Sequence, residues 1–437
     1  MLSSKELLKA LDGGKFDALF SRLYGSEHIA YQRERYIRAV RAFVDCFGDR
    51  KNLYLFSAPG RTEISGNHTD HNHGRVLAAS VNLDVIAVAS PCSEARIRVQ
   101  SAGYPMDVVE LTDVAVREDE KNRSSSLVRG MAARFLQMKL AVGGFDAYTT
   151  SDVLKGSGLS SSAAFEILLG TILNHLFNGG SLSSVELAKA AQYAENVYFG
   201  KPSGLMDQMA SSVGGIIAID FADPERPKIK RIDFPFSDCG HHLCIVDTGG
   251  NHADLTHEYA AVPAEMRAIA RSLGVEYLRE TSLPSLIPQI PALRHQHGDR
   301  AVLRALHFLR ENDRVVRQVE ALESGNFEEF KRLVIESGHS SFEYLQNVYA
   351  PGDVSCQGLS LALCLAELHL SGRGAWRVHG GGFGGTTQNF VPDDLLVSFR
   401  NTMETVFGKG CCHSLMIRPY GGIRIDADVF PNSSHEK

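Results

Sequence analysis

The chain has 437 residues, of which 44% are hydrophobic and 22% charged, and its formal charge is −6. That length exceeds one compact core and fits two domains of ordinary size, in an ordinary globular protein. The negative charge and the lack of a long Lys/Arg block argue against nucleic-acid and membrane-surface partners, which leaves small molecules.

Residues 1–50 are helical in period, with "YQRERYIRAVRAFVDCF" spacing apolar residues three and four apart. The N-terminal stretch is amphipathic and mixed in charge, unlike a signal peptide. No apolar run reaches membrane-spanning length, so a cytoplasmic protein is expected. From Leu53 the period shortens, and "LYLFSA", "VNLDVIAVAS" and "ARIRVQS" read as strands. Helices are expected at "SSLVRGMAARFLQMKL", "SAAFEILLGTILNHLF" and "SSVELAKAAQYAENVYF", with serines as N-caps. Strands return at "GGIIAID" and "HHLCIVDT", after a charged, proline-bearing "ADPERPKIKRIDFPFSD" that marks a domain break. A helical block from about Asp254 to Leu370 and strands at "AWRVH", "TQNFVP", "LMIRPY" and "GIRID" complete an α+β chain. It divides into a helical extension (1–50) and domains over 51–230 and 231–437. The eight scattered cysteines lack C-x-x-C spacing and read as free, mostly buried thiols.

Three polar segments carry chemistry. "GRTEISGNHTDHNHGRVLAAS", Gly60–Ser80, sets short hydrogen-bonding side chains between apolar strands. Such groups suit a ligand rich in hydroxyls, each of which donates and accepts. Zinc is a poorer fit, because His68, His71 and His73 have irregular spacing and no further Cys/His cluster completes four ligands. "LKGSGLSSSAAFEILLG", Leu154–Gly170, puts glycines and three serines at the start of an apolar helix, where free N–H groups and the dipole favour phosphate. The lysine of the Walker pattern is missing, and a plain serine-capped helix is an equal reading of this segment alone. "HGGGFGGTT", His379–Thr387, formally contains G-x-G-x-x-G, but a strand-like run follows it and not a helix, so it reads as a tight loop between strands.

Together and in order, these segments resemble the signatures of the GHMP small-molecule kinases, and more closely those of the galactokinase family. The first is similar to G-R-x-N-L-I-G-E-H-T-D-Y-N-x-G, the second to the family's phosphate loop and the third to its C-terminal glycine loop. "SGLMDQMAS", Ser203–Ser211, is similar to the family's C-G-I-M-D-Q, and the stretch around Tyr259 to the one whose tyrosine faces the sugar. The resemblance implies a two-domain α+β fold with the active site between N- and C-terminal domains. It implies ATP-dependent phosphorylation of the anomeric hydroxyl of a monosaccharide, galactose first; the oligomeric state is open, with a monomer favoured.

It also implies roles by position. Asp207 and Arg61 would be catalytic, the aspartate beside the reacting hydroxyl as base or orienter and the arginine as a fixed positive charge. Asn67, His68, Asp70, Gly204 and Tyr259 would contact the sugar. Gly156, Ser157, Gly158, Leu159, Ser160, Ser161, Ser162 and Ala163 would bind the ATP phosphates, with Mg²⁺ on Ser162 and Glu195.

The chain departs from the pattern at Asn67, where the family carries glutamate, and at "RTEIS", which puts Glu63 and Ser65 at more apolar or amide positions. An amide at 67 could donate to a substrate carboxylate, so a galacturonate kinase is an alternative, as is a non-catalytic sugar sensor. If the sugar is galactose, Asn67→Glu should preserve or improve turnover through a charge-assisted hydrogen bond.

Overall fold

The computed structural model describes residues 2–154, 158–249, 255–352 and 354–426. Two long strands organise the first half: β1 (Tyr54–Ser65) and β2 (Arg75–Pro91), paired antiparallel along most of their length. Successive side chains on these strands face opposite ways, and both faces are apolar. Phe56, Ala87 and Ala89 pack with Ile167 and Leu168 of a helix on one side, whereas Leu55, Ile86 and Val88 pack with Leu7, Phe20, Tyr36 and Val40 on the other. The near-continuous burial of β2 follows from this sandwiching.

The covering layer on the second side is the N-terminal extension: α1 (Ser4–Asp12), α2 (Asp17–Tyr24) and α3 (Ile29–Phe47). It is pinned by Asp84 of β2, which is fully buried. Asp84 accepts from the Tyr24 hydroxyl at 2.6 Å, Arg35 Nη1 at 2.6 Å and Arg418 Nη1 at 3.0 Å. The described residues 2–50 are thus an integral face of the sheet.

The sheet is completed by β3 (Arg96–Ser101), β4 (Asp107–Glu110), β5 (Phe145–Ser151), β6 (Ile216–Asp220) and β7 (Lys228–Ile232), plus a strand from the chain's end. Helices α4 (Ser124–Gln137), α5 (Ser161–Phe177), α6 (Ser184–Tyr193) and α7 (Met206–Val213) belong to this half. The second sheet is antiparallel, in the order β11-β8-β10-β9, from β8 (His241–Asp247), β9 (Ala375–Val378), β10 (Thr386–Pro392) and β11 (Cys412–Leu415). With it go α8 (Thr256–Ser272), α9 (Leu283–Leu286), α10 (Ile290–His297), α11 (Asp299–Glu323), α12 (Phe327–Ser340), α13 (Gly358–Leu370) and α14 (Leu396–Phe407).

The segment expected to hold the domain break contains β7, because "KIKRI" pairs with β6. Other expectations are corrected. The final strand β12 (Ile423–Ile425) pairs with β1, so the chain's end joins the first half's sheet. "LMIRPY" is mostly not strand, since β11 ends at Leu415 and only Ile417 makes a bridge, to Val81. β4 and β5 carry no strong sequence signal. Cys46, Cys356 and Cys364 are exposed, and only Cys244, Cys411 and Cys412 are buried, so the thiols are not mostly buried.

Candidate active site

Four segments meet between the halves: the turn between β1 and β2 (66–74), the start of α5, the loop into α7, and the glycine loop between β9 and β10. Arg61 is near the end of β1, whose backbone N–H donates to Leu159 O at 3.0 Å. Its side chain donates to Gly158 O and, through Nε, to Asp207 Oδ1 at 2.7 Å. Ser160 is the residue before α5, in left-handed backbone with φ 57°, and its hydroxyl donates to Asp207 Oδ2 and caps no helix N–H. Ser160, expected at the ATP phosphates, thus holds the Asp207 carboxylate in this structure. Gly158 has φ 69°, and a Cβ there would stand 3.1 Å from His379 Nδ1, so glycine lets the phosphate loop meet the glycine loop.

Asp207 lies in the first turn of α7 with its side chain about a quarter exposed. Burial pushes its carboxyl up, but the Arg61 charge and the hydrogen bonds from Arg61 and Ser160 outweigh that and hold it below the usual carboxylate range. Two of its lone-pair positions are taken, and the others can accept a ligand hydroxyl. Asp70 comes to the same place: its carboxylate occupies the space that a Cβ on Gly204 would need, so a side chain at 204 would displace it.

Glu195 sits in the π-helical turn Ala194–Phe199 that extends α6. Its Oε1 accepts from Ser162 Oγ at 3.2 Å and Lys201 Nζ at 2.9 Å, and its Oε2 from Gln208 Nε2 at 2.8 Å. A carboxylate oxygen that already faces an ammonium, with a hydroxyl beside it, is the hard oxygen pair that Mg²⁺ selects, and two protein ligands leave room for water and phosphate oxygens. The residues fit the ion. Gln208 also donates to Glu166 at 3.0 Å, a buried carboxyl that burial and the Glu195 charge push well above its ordinary range.

The structure departs most from expectation at the expected sugar contacts. Asn67 is fully buried and its carboxamide is saturated. Its Nδ2 donates to Glu63 Oε1 at 2.9 Å and Gly380 O at 2.7 Å, and its Oδ1 accepts from Asn347 Nδ2 at 2.7 Å and Ser341 Oγ at 3.3 Å. His68 Nε2 donates to Gly381 O at 2.9 Å, and the Tyr259 hydroxyl donates to Gly382 O at 2.6 Å. Three consecutive glycine-loop carbonyls therefore take the polar atoms of three residues expected at the sugar. Burial also lowers the His68 imidazole to about 4 and raises the Tyr259 phenol to about 12, so both are neutral. His73 stacks on Tyr277 at 3.6 Å. Gly156 and Ser157 lie outside the described residues.

Sequence reasoning missed a cavity of about 820 Å³ that opens beside the start of α5. Its lining includes Tyr104, Met106, Ser124, Thr150, Ser162 and Phe165. Apart from the start of α5, the residues come from separate elements, each unremarkable in sequence.

The family description of GHMP kinase N-terminal domains matches residues 126–215, and the galactokinase galactose-binding signature matches residues 41–91. Galactokinase of Streptomyces coelicolor is 32% identical over 335 residues, covering 76% of this chain and 83% of that one. The chain belongs to the galactokinase family. The crystal structure of Lactococcus lactis galactokinase complexed with galactose superposes with a TM-score of 0.74 at 25% identity, over 88% of this chain and 98% of that one. Methanococcus jannaschii mevalonate kinase shares the fold, with a TM-score of 0.61 at 15% identity over 84% and 99% of the two chains. Among the described residues no helix is long and apolar enough to cross a membrane.

Proposed function

We propose that this chain phosphorylates galactose at its anomeric hydroxyl with ATP, as a cytoplasmic, monomeric enzyme. The observation that carries the reading is the Arg61–Asp207–Ser160 constellation, set against the N-terminus of α5 in a chain of this family. Backbone N–H groups at the start of α5, with Ser161 and Ser162, offer an anion site for the transferred phosphate. The neighbouring cavity of about 820 Å³ suits the rest of the nucleotide. Ser162 and Glu195 would hold Mg²⁺, which supplies charge neutralisation at the phosphates when bound.

In this reading Asp207 accepts a hydrogen bond from the sugar hydroxyl and aims its oxygen. A carboxylate held below its ordinary pKa is a weak base, and phosphoryl transfer through a loose transition state demands little base, so orientation is its main contribution. Arg61 fixes that carboxylate and adds positive charge next to the transferring group. Asp70 and Gly204 shape the sugar side of the cleft. The galacturonate alternative relied on a free amide at 67, and that amide is occupied by protein groups. The sensor alternative has no use for the intact Ser162–Glu195 pair.

The test is ADP formation by the purified protein with a panel of monosaccharides and uronic acids. The expected outcome is turnover with galactose and little with galacturonate. No sugar-dependent ADP with any of them would remove the enzyme reading.

A further inference from the structure

Glu63 and Asn67 stand four residues apart, one near the end of β1 and the other in the turn after it, and they are bonded to each other at 2.9 Å. The family signature carries an amide at the first of these positions and a carboxylate at the second. Here the two are interchanged. The carboxylate at 63 is held by Arg377 Nη2 at 3.2 Å, and the arginine's Nη1 donates to Ile64 O at 2.6 Å. All three side chains are essentially inaccessible, with Glu63 at 5% and Asn67 and Arg377 at 0% exposure. The amide at 67 then bridges outward to Gly380 O, Asn347 and Ser341, while His307 Nε2 donates to its main-chain oxygen at 3.0 Å.

We propose that Glu63 and Asn67 form one exchanged pair that positions the turn between β1 and β2 against the glycine loop, with Asn67 a positioning residue that does not touch the sugar. The donor and acceptor inventory carries this. The 67 side chain faces two acceptors, the Glu63 carboxylate and the Gly380 carbonyl, and two donors, Asn347 and Ser341. Only a carboxamide supplies two donors and an acceptor at once. A glutamate at 67 would press a second buried carboxylate against Glu63 and leave Gly380 O unpaired. The expectation that Asn67→Glu preserves or improves galactose turnover is therefore reversed. The acid is tolerated at 67 only when 63 becomes the amide.

This inference rests on the reading that the cleft binds the sugar, and two measurements keep them apart. One is the melting temperature of wild type, Asn67→Glu, Glu63→Asn and the double variant, which needs no substrate. The other is kcat/KM of the same four proteins with galactose. Asn67→Glu alone should lose about 30-fold or more of kcat/KM and melt lower, and the double variant should recover at least about ten-fold of that loss and most of the melting temperature. If the single variants do not fold, a folded double variant is the same rescue. Losses that simply multiply in the double variant, or a double variant that also fails to fold, overturn the pair. If wild type does not turn over galactose, the sugar reading fails while the melting cycle still decides the pair.

Contact is separated from positioning by Asn67→Ala tested on galactose and on deoxygalactoses lacking one hydroxyl each. A positioning residue lowers kcat/KM by a similar factor for all of them, within about three-fold. A loss confined to sugars that keep one particular hydroxyl would mean that Asn67 contacts that hydroxyl, which overturns the assignment.

Discussion

Arg61 and Glu63 project from the same face of β1, two residues apart, and each makes a charge pair. Arg61 reaches Asp207 within the first half, and that carboxylate keeps about a quarter of its side chain open to the cleft. Glu63 reaches Arg377 in the second half, and both ends are sealed. One strand thus supplies a pair left partly unsatisfied for a ligand and a pair closed on itself as a joint between halves. Charge alone does not distinguish them; the access of the partner does.

The largest expected effect breaks the sealed pair. Arg377→Met strands the Glu63 carboxylate and empties the Ile64 and Val378 carbonyls, and should cost about 3–5 kcal/mol of stability at neutral pH by chemical denaturation. Burial already raises the Glu63 carboxyl above its ordinary range. Without Arg377 it takes up a proton more readily, so the folded state binds more protons than the unfolded one. The deficit should therefore shrink as pH falls toward 5. A deficit that is unchanged or grows on acidification would contradict the stranded-charge explanation.

The open pair is broken by Asp207→Asn, in which an amide replaces the carboxylate that accepts from Arg61 and Ser160. The expected loss is about 10² or more in kcat, equivalent to about 2.7 kcal/mol, with galactose and ATP binding nearly intact by calorimetry. Near-normal turnover of the folded variant would take Asp207 out of the mechanism.

The joint also has a pH dependence of its own. His68, packed against the glycine loop, is held to about 4, and so is His175 beneath β1. Between an unfolded value near 6.5 and that figure, the unfolded chain binds the extra proton, so stability rises with pH across this window and is lost as pH falls. At pH 5 each imidazole that folding keeps neutral costs about 2 kcal/mol relative to pH 7.5. The melting temperature should drop between pH 7 and 5, and His68→Gln should flatten that slope. An unchanged slope in His68→Gln would contradict the assignment.

These contrasts also mark what the sequence made legible. Arg61, Ser162 and Asp207 are legible as candidates because each sits in a short motif at a strand end or a helix start, and Glu195 only through its family spacing from Asp207, whereas the bond from Ser160 to Asp207 has no sequence signal. Asn67, His68 and Tyr259 were recognised as polar groups, but their orientation depends on Gly380, Gly381 and Gly382, which lie 313, 313 and 123 residues away. An amide that faces a ligand and one that faces a backbone carbonyl look the same in sequence. The α+β pattern and the helices around the phosphate loop were legible from periodicity. The return of β12 to β1 was not, because a three-residue strand carries too little pattern to choose its sheet.

The smallest expected effect sharpens the open pair further. Ser160→Ala removes one of the two hydrogen bonds that hold Asp207 and leaves the Arg61 pair in place. A charged acceptor loses about 1.5–3 kcal/mol with such a bond in a dry site, but the quarter-exposed carboxylate can take water as a replacement, so a loss of about three- to ten-fold in kcat is expected. The serine bond is one of the interactions that lower the Asp207 carboxyl, so its removal moves that group up toward the ordinary range. If Asp207 must be ionised to accept the sugar hydroxyl, the variant's deficit relative to wild type should widen as pH falls toward 4.5 and be smallest above pH 6. A deficit larger than that of Asp207→Asn would reverse the assignment, making the serine hydroxyl the group that orients the sugar and the aspartate its support.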